Sequence, residues 1–160
     1  MRAPAVGVDV TLPAPRAAGG RGAEAFRGVD GPGGGSTADN MSDAERVARD
    51  LGIEYDVIDI GPIYDAFVSA FPGDGAEERV DEEPLRTAAG NVRVRIRAVL
   101  NYFVANAEDR VVLGTGNRSE ALTGYYTKYG DQAVDCNPIG GLYKQQVRQL
   151  AAHVGIDDDL

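Results

Sequence analysis

From about residue 36 onward, changes in the spacing of apolar residues mark out successive elements. In Asn40 to Leu51 the residues Ala44, Val47, Ala48 and Leu51 recur at i, i+3, i+4 and i+7, one face of a helix. Ser42 with Glu45 suits a capping box at its start, and Gly52 suits a stop. Ile53 to Ile60 is strand-like, with Tyr55 and Val57 in step and Ile58 and Ile60 out of step. Pro62 opens a short helix carrying Ile63, Phe67, Ala70 and Phe71, and Pro72 to Pro84 is an acidic, glycine-containing loop. Residues 86 to 107 read two ways. The run VRVRIR alternates like an edge strand, but Val92, Ile96, Val99, Leu100 and Phe103 form a helical stripe over a length beyond the usual strand, so a helix is expected. Val111 to Gly114 is a short buried strand. Leu142 to Val154 is a helix with Val147, Leu150, Ala151 and Val154 on one face. Strands alternating with helices give an α/β fold, a parallel sheet with flanking helices. Ligands of such sheets sit at the carboxyl ends of the strands, where Gly114 to Asn117 lies.

Residues 12 to 35 follow neither period. Ala, Gly, Pro and Arg dominate, which taken alone describes a flexible or disordered segment. The chain thus divides into residues 1–35 and an α/β domain over 36–160. At 160 residues it is one domain's worth. With 25 acidic against 16 basic residues the net charge is -9, the wrong sign for a general nucleic-acid binder. One cysteine, Cys136, allows no internal disulfide, so a cytoplasmic setting is expected. No apolar run approaches the roughly 18 residues of a membrane span.

The polar residues from Gly114 to Asp131 are too many for a core. Gly114, Gly116 and the Thr115 between them make a turn whose backbone can approach a phosphate or an adenine edge, or a plain tight turn. Glu120 stands three residues after Asn117, the spacing of a capping box, and a carboxylate there also suits a metal beside phosphates. Lys128 lies among Tyr125, Tyr126 and Tyr129, a setting for a flat base near a phosphate or for a surface lysine between packed rings. Asp131 and Asp135 follow Gly130 closely, and either can be a turn residue. Lys144 falls in the first turn of its helix, against the dipole preference, as a phosphate-binding cation would. Arg93 and Arg95 fall on opposite flanks of the apolar stripe, and geometry does not choose between them. His153 reads as a dipole partner at the end of the last helix and Cys136 as a packed thiol.

The run GTGNRSEALTGYYTKYGDQAVDCNPIGGLYKQQVRQLA closely resembles ammonia-dependent NAD synthetase of the short single-domain type. NMSDAERVARDLGIEY and GNVRVRIRAVLNYFVAN are similar to the same family, so the likeness covers roughly Ser36 to Ile156. The resemblance implies a Rossmann-like fold of the adenine nucleotide alpha hydrolase type and a two-step reaction. ATP adenylylates the nicotinate carboxylate of deamido-NAD, and ammonia then displaces AMP to leave NAD. Carried over position by position, it implies that Arg95, Lys128 and Asp135 contact deamido-NAD, that Thr115 and Lys144 contact ATP, and that Glu120 binds Mg²⁺. It also implies a homodimer with the 86–107 helix at the interface, and ammonia rather than glutamine as nitrogen donor.

Two departures stand beside the likeness. The family's pyrophosphate loop, Ser-Gly-Gly-x-Asp-Ser, is matched here by Ala5-Val6-Gly7-Val8-Asp9-Val10, which keeps one glycine and Asp9, a second candidate Mg²⁺ ligand. Val6 at a glycine position opposes close backbone approach to a phosphate. Pro13 and Pro15 oppose the helix that should follow. The spacing from Asp9 to Asn40 is nevertheless that of the family, as a shifted reading frame across about Val10 to Gly35 would give; the other two frames of the encoding DNA test this. The resemblance also implies further active-site segments beyond GIDDDL, so turnover by this chain itself is in question, and a non-catalytic nucleotide-binding or dimerisation module is the alternative.

Overall fold

The computed structural model describes residues 9–13, 27–30, 45–46, 48–50, 52–70, 83 and 85–155. Strands β1 (Asp9–Pro13), β2 (Arg27–Asp30), β3 (Glu54–Val57) and β4 (Arg110–Leu113) form one sheet in the order β3-β2-β1-β4. Helices α1 (Gly61–Ser69), α2 (Leu85–Ala107), α3 (Arg118–Thr123) and α4 (Lys144–His153) accompany it. β2 pairs parallel with β3, and β1 pairs antiparallel with both β2 and β4. The expected parallel direction therefore holds for β2, β3 and β4, while β1 runs against them. Parallel neighbours need a crossover, usually a helix, whereas antiparallel neighbours do not. The Pro13 and Pro15 that oppose a crossover helix lie where β1 leads on toward β2. Pro13 is the last residue of β1, where its missing N–H ends a ladder at least cost.

Two of these strands fall within residues 1–35, and Asp9 opens a strand instead of occupying a loop. Val10 pairs with Leu113 and Asp9 with Val29. The amino end of β1 thus shares an edge of the sheet with the carboxyl ends of β2 and β4. The strand expected over Ile53 to Ile60 is shorter, four residues. The helix before it is seen at residues 45–46 and 48–50; Ser42, its expected cap, lies outside the described residues. Its end is a Schellman motif: Gly52, at φ 65, donates to the Arg49 carbonyl at 3.1 Å, and Ile53 donates to Ala48 at 2.8 Å.

α1 has Pro62 in its first turn, and the Gly61 N–H donates to the Asp59 carboxylate at 2.8 Å. The apolar face expected from Ile63 and Phe67 is not the buried one. Both are exposed, and Tyr64 turns inward beneath the Arg93 guanidinium, 3.8 Å from its ring centroid. A cation laid on a ring lets an aromatic residue take the inner side.

α2 confirms the helix expected over 86–107, but its apolar stripe faces inward only in part, with Val92, Ile96 and Leu100 half-buried. Val99 is 69% and Phe103 71% exposed, whereas Ala89, Ala98, Asn101 and Ala105 are buried. At about 100° per residue, Asn91, Val94, Arg95, Ala98, Asn101, Tyr102 and Ala105 share one side. Several of these residues meet the loop after α3. Among the described residues no helix is long and apolar enough to cross a membrane.

Candidate functional site

β4 ends in a crowded turn. Val112 is 1% exposed, and the segment after α3 returns alongside β4 as a parallel bridge from Leu113 to Cys136. Gly114 donates to the Cys136 carbonyl at 2.7 Å, and Asp135 donates to the Val112 carbonyl at 3.0 Å. A side chain at Gly114 would come within 2.7 Å of Val134 and also strike Asn137; one at Gly116 would come within 2.9 Å of Gln132. Gly114 is therefore required by close packing, which sequence spacing alone could not separate from a tight turn, whereas at Gly116 the neighbour is the flexible end of the Gln132 side chain. Thr115 itself is exposed.

The capping box expected from Asn117 and Glu120 is present. The buried Asn117 side chain accepts from the Glu120 N–H at 3.1 Å, and Glu120 Oε2 accepts from the Asn117 N–H at 3.0 Å. Glu120 Oε1 faces Lys144 Nζ at 3.4 Å. Lys144 lies in the first turn of α4, as expected, although the helix begins at Lys144 and not at Leu142, and its N–H donates to Ser119 Oγ at 3.0 Å. The bond from the Arg118 N–H to the Leu142 carbonyl, 2.8 Å, ties the starts of α3 and α4 together. One carboxylate thus fastens its own helix through one oxygen and holds a lysine from another helix through the second. A carboxylate offers about four lone-pair sites, so Glu120 keeps acceptor capacity for a ligand.

α3 ends at Gly124, whose φ of 69 favours glycine. The following loop is held against α2 at several points. Thr127 Oγ1 donates to Asn91 Oδ1 at 2.8 Å, and Arg95 Nε donates to the Lys128 carbonyl at 3.1 Å. Gly130 is buried against Val94. The Thr127 N–H donates to Asp131 at 2.7 Å, so Asp131 acts as a turn residue. The ammonium group of the exposed Lys128 lies 5.0 Å from the Tyr129 ring centroid. Arg93 and Arg95, which the sequence left as alternatives, thus have different partners, Tyr64 and the Lys128 backbone.

Asp135 does more than shape a turn. Its Oδ2 accepts from the Val112 N–H at 2.8 Å, and its Oδ1 accepts from Tyr102 Oη–H at 3.1 Å. Tyr102 was missed in the sequence, where it reads as one more aromatic residue of a helix. Burial, together with the Asp135 carboxylate, raises its phenol above the ordinary tyrosine value. Cys136, expected to be packed, is exposed; its backbone serves the bridge to β4 while the thiol stays outside.

Of the residues singled out in the sequence, Thr115, Glu120 and Lys144 stand around the end of β4 and the starts of α3 and α4. Arg95, Lys128 and Asp135 stand along the α2-held loop. Asp9 is at the same sheet edge by its register in β1. Among the described residues no three His, Cys, Asp or Glu side chains gather as a metal cage. Glu120 alone fits Mg²⁺ in another sense, since that ion is commonly held by one or two carboxylates with substrate phosphates and water completing the shell.

Comparison with known proteins gives the family of the chain. The family model described as NAD synthase matches residues 5–160. The chain is 57% identical over 154 residues to the NH(3)-dependent NAD(+) synthetase of Halobacterium salinarum, covering 96% of this chain and 54% of that protein. It is 45% identical over 152 residues to that of Pyrobaculum aerophilum, covering 95% and 54%. Among solved structures, the NH3-dependent NAD synthetase of Campylobacter jejuni, in complex with the nitrate ion, superposes with a TM-score of 0.69 at 35% identity, over 82% of this chain and 52% of that one. The NMN synthetase of Francisella tularensis superposes with a TM-score of 0.72 at 29% identity, over 83% and 52%. The chain spans about half the length of the curated relatives it matches. With the family model matched over nearly all its residues, this chain belongs to the NAD synthase family and carries its Rossmann-like, adenine nucleotide alpha hydrolase-like fold.

Proposed function

We propose that this chain binds ATP and deamido-NAD at the carboxyl edge of its sheet and serves the ammonia-dependent amidation of deamido-NAD to NAD. The observation that carries this reading is the Glu120–Lys144 pair seated beside the Thr115 turn. It sets a carboxylate and a cation side by side at the helix starts that follow the exposed Thr115. Lys144 Nζ and Thr115 receive ATP, with Lys144 countering phosphate charge at the start of α4. Glu120, with Asp9 as a second candidate, would hold Mg²⁺, which when bound neutralises charge on the phosphates and on the departing pyrophosphate. Arg95, Lys128 and Asp135 hold deamido-NAD along the loop clasped by α2. The nicotinate carboxylate is a poor electrophile until adenylylated; its carbon then accepts ammonia, and AMP leaves with the bonding electrons. The chain works in the cytoplasm, with no nucleic-acid or membrane partner.

Incubation with ATP, Mg²⁺, deamido-NAD and ammonia tests the reading. NAD formation above background, lost in Lys144→Ala, supports it. Deamido-NAD binding with no NAD formed favours the alternative, a non-catalytic module of the same family. The homodimer is supported by the apolar stripe of α2 left exposed at Val99 and Phe103. Light scattering on Phe103→Asp checks it: the parent should run at twice the chain mass and the variant at one, and a monomeric parent refutes the dimer.

A further inference from the structure

We propose that Tyr102 is a positioning residue for Asp135, fixing the carboxylate that the proposed reaction presents to deamido-NAD. The inference rests on the functional reading above and adds a residue to it. Asp135 and Val112 exchange two bonds: Val112 receives the Asp135 N–H on its carbonyl and gives its own N–H to Oδ2. The side chain thus takes the place of a neighbouring strand's carbonyl and anchors one oxygen. A single anchor still leaves rotation about the line to that oxygen. Tyr102, from α2, supplies the second, donating to Oδ1 at 3.1 Å. Two donors on two different oxygens fix the plane of the carboxylate. Two of its four acceptor sites remain, on a residue that is exposed. The same side of α2 holds Lys128 through Arg95, seven residues earlier in the helix, and Lys128 stands seven residues before Asp135. Two of the residues proposed to hold deamido-NAD are therefore clasped from one helix face at matching intervals.

Binding of deamido-NAD is measured by calorimetry for the parent, Tyr102→Phe, Asp135→Asn and the double variant, with thermal unfolding recorded for each. Loss of one positioning hydrogen bond should weaken deamido-NAD binding in Tyr102→Phe by about three- to tenfold. Because the tyrosine acts through the carboxylate, the double variant should bind as Asp135→Asn does alone. Unchanged affinity in Tyr102→Phe, or fully additive losses in the double variant, overturns the proposal. Should Tyr102→Phe fail to fold, the ¹³Cζ resonance of Tyr102 in the parent gives a second measurement. It should move on saturation with deamido-NAD, and a fixed resonance overturns the proposal. A folded parent that binds no deamido-NAD overturns the functional reading, and the proposal falls with it.

Discussion

Replacing Gly114 with alanine adds one methyl group at the tightest of the described glycine positions. Its position lies 2.7 Å from Val134 Cγ2 and closer still to Asn137 Oδ1. Neither neighbour yields easily. Val134 is β-branched and stiff about χ1. The Asn137 amide oxygen is itself buried, so it has no open solvent to turn into. The backbone cannot retreat without losing the 2.7 Å bond from Gly114 to Cys136. Overpacking of this kind costs about 1–3 kcal/mol. For a chain of this size that lowers the melting temperature by about 2–12 °C. Circular dichroism melts with a parallel urea series measure it, the urea slope staying unchanged. Gly141→Ala is the control, since nothing lies within 4 Å of its added carbon, and it should fall within about 0.5 kcal/mol of the parent. A Gly114→Ala chain melting with the parent would show that the turn is looser than its contacts imply.

Asn117→Ala removes the side-chain acceptor at the start of α3 and should destabilise by about 1–2 kcal/mol in the same melts; no loss would mean that the capping box contributes nothing. Gly90→Ala, inside α2 with open space around it, should stabilise by up to about 1 kcal/mol, and a lowered midpoint would contradict the helix as described. Tyr102 gives a pH signature. Its folded phenol titrates above its unfolded value of about 10. Its contribution is thus fully present below pH 10 and is lost as pH rises through the higher folded value. The melting difference between parent and Tyr102→Phe should shrink over that alkaline range, and a difference that grows there reverses the sign.

What could be read from the sequence was local. The Asn117–Glu120 box, the Gly52 stop and the place of Lys144 in the first turn of α4 depend on spacings of a few residues, and the structure has them. The extent of α2 was also legible, because its apolar period outlasts any ordinary strand. Its inner face was not. Ala98, Asn101 and Ala105 carry little hydrophobic signal, whereas Val99 and Phe103 carry much and lie outside. The same inversion affected α1, where Tyr64 is buried and Ile63 and Phe67 are not. The partners of Asp135 escaped because they lie 23 and 33 residues away in the chain, and no short motif encodes them. The direction of β1 escaped because pairing direction follows from the connection between strands, which the residues of a strand do not encode.

The two unlike sides of α2 give that helix a double duty. Its polar, small-residue side grips the loop that carries Lys128 and Asp135, while its oily side stands outward at Val99 and Phe103. Both sides belong to one helix of 23 residues. A partner seated on Val99 and Phe103 would therefore rest on the same element that holds the loop residues in place.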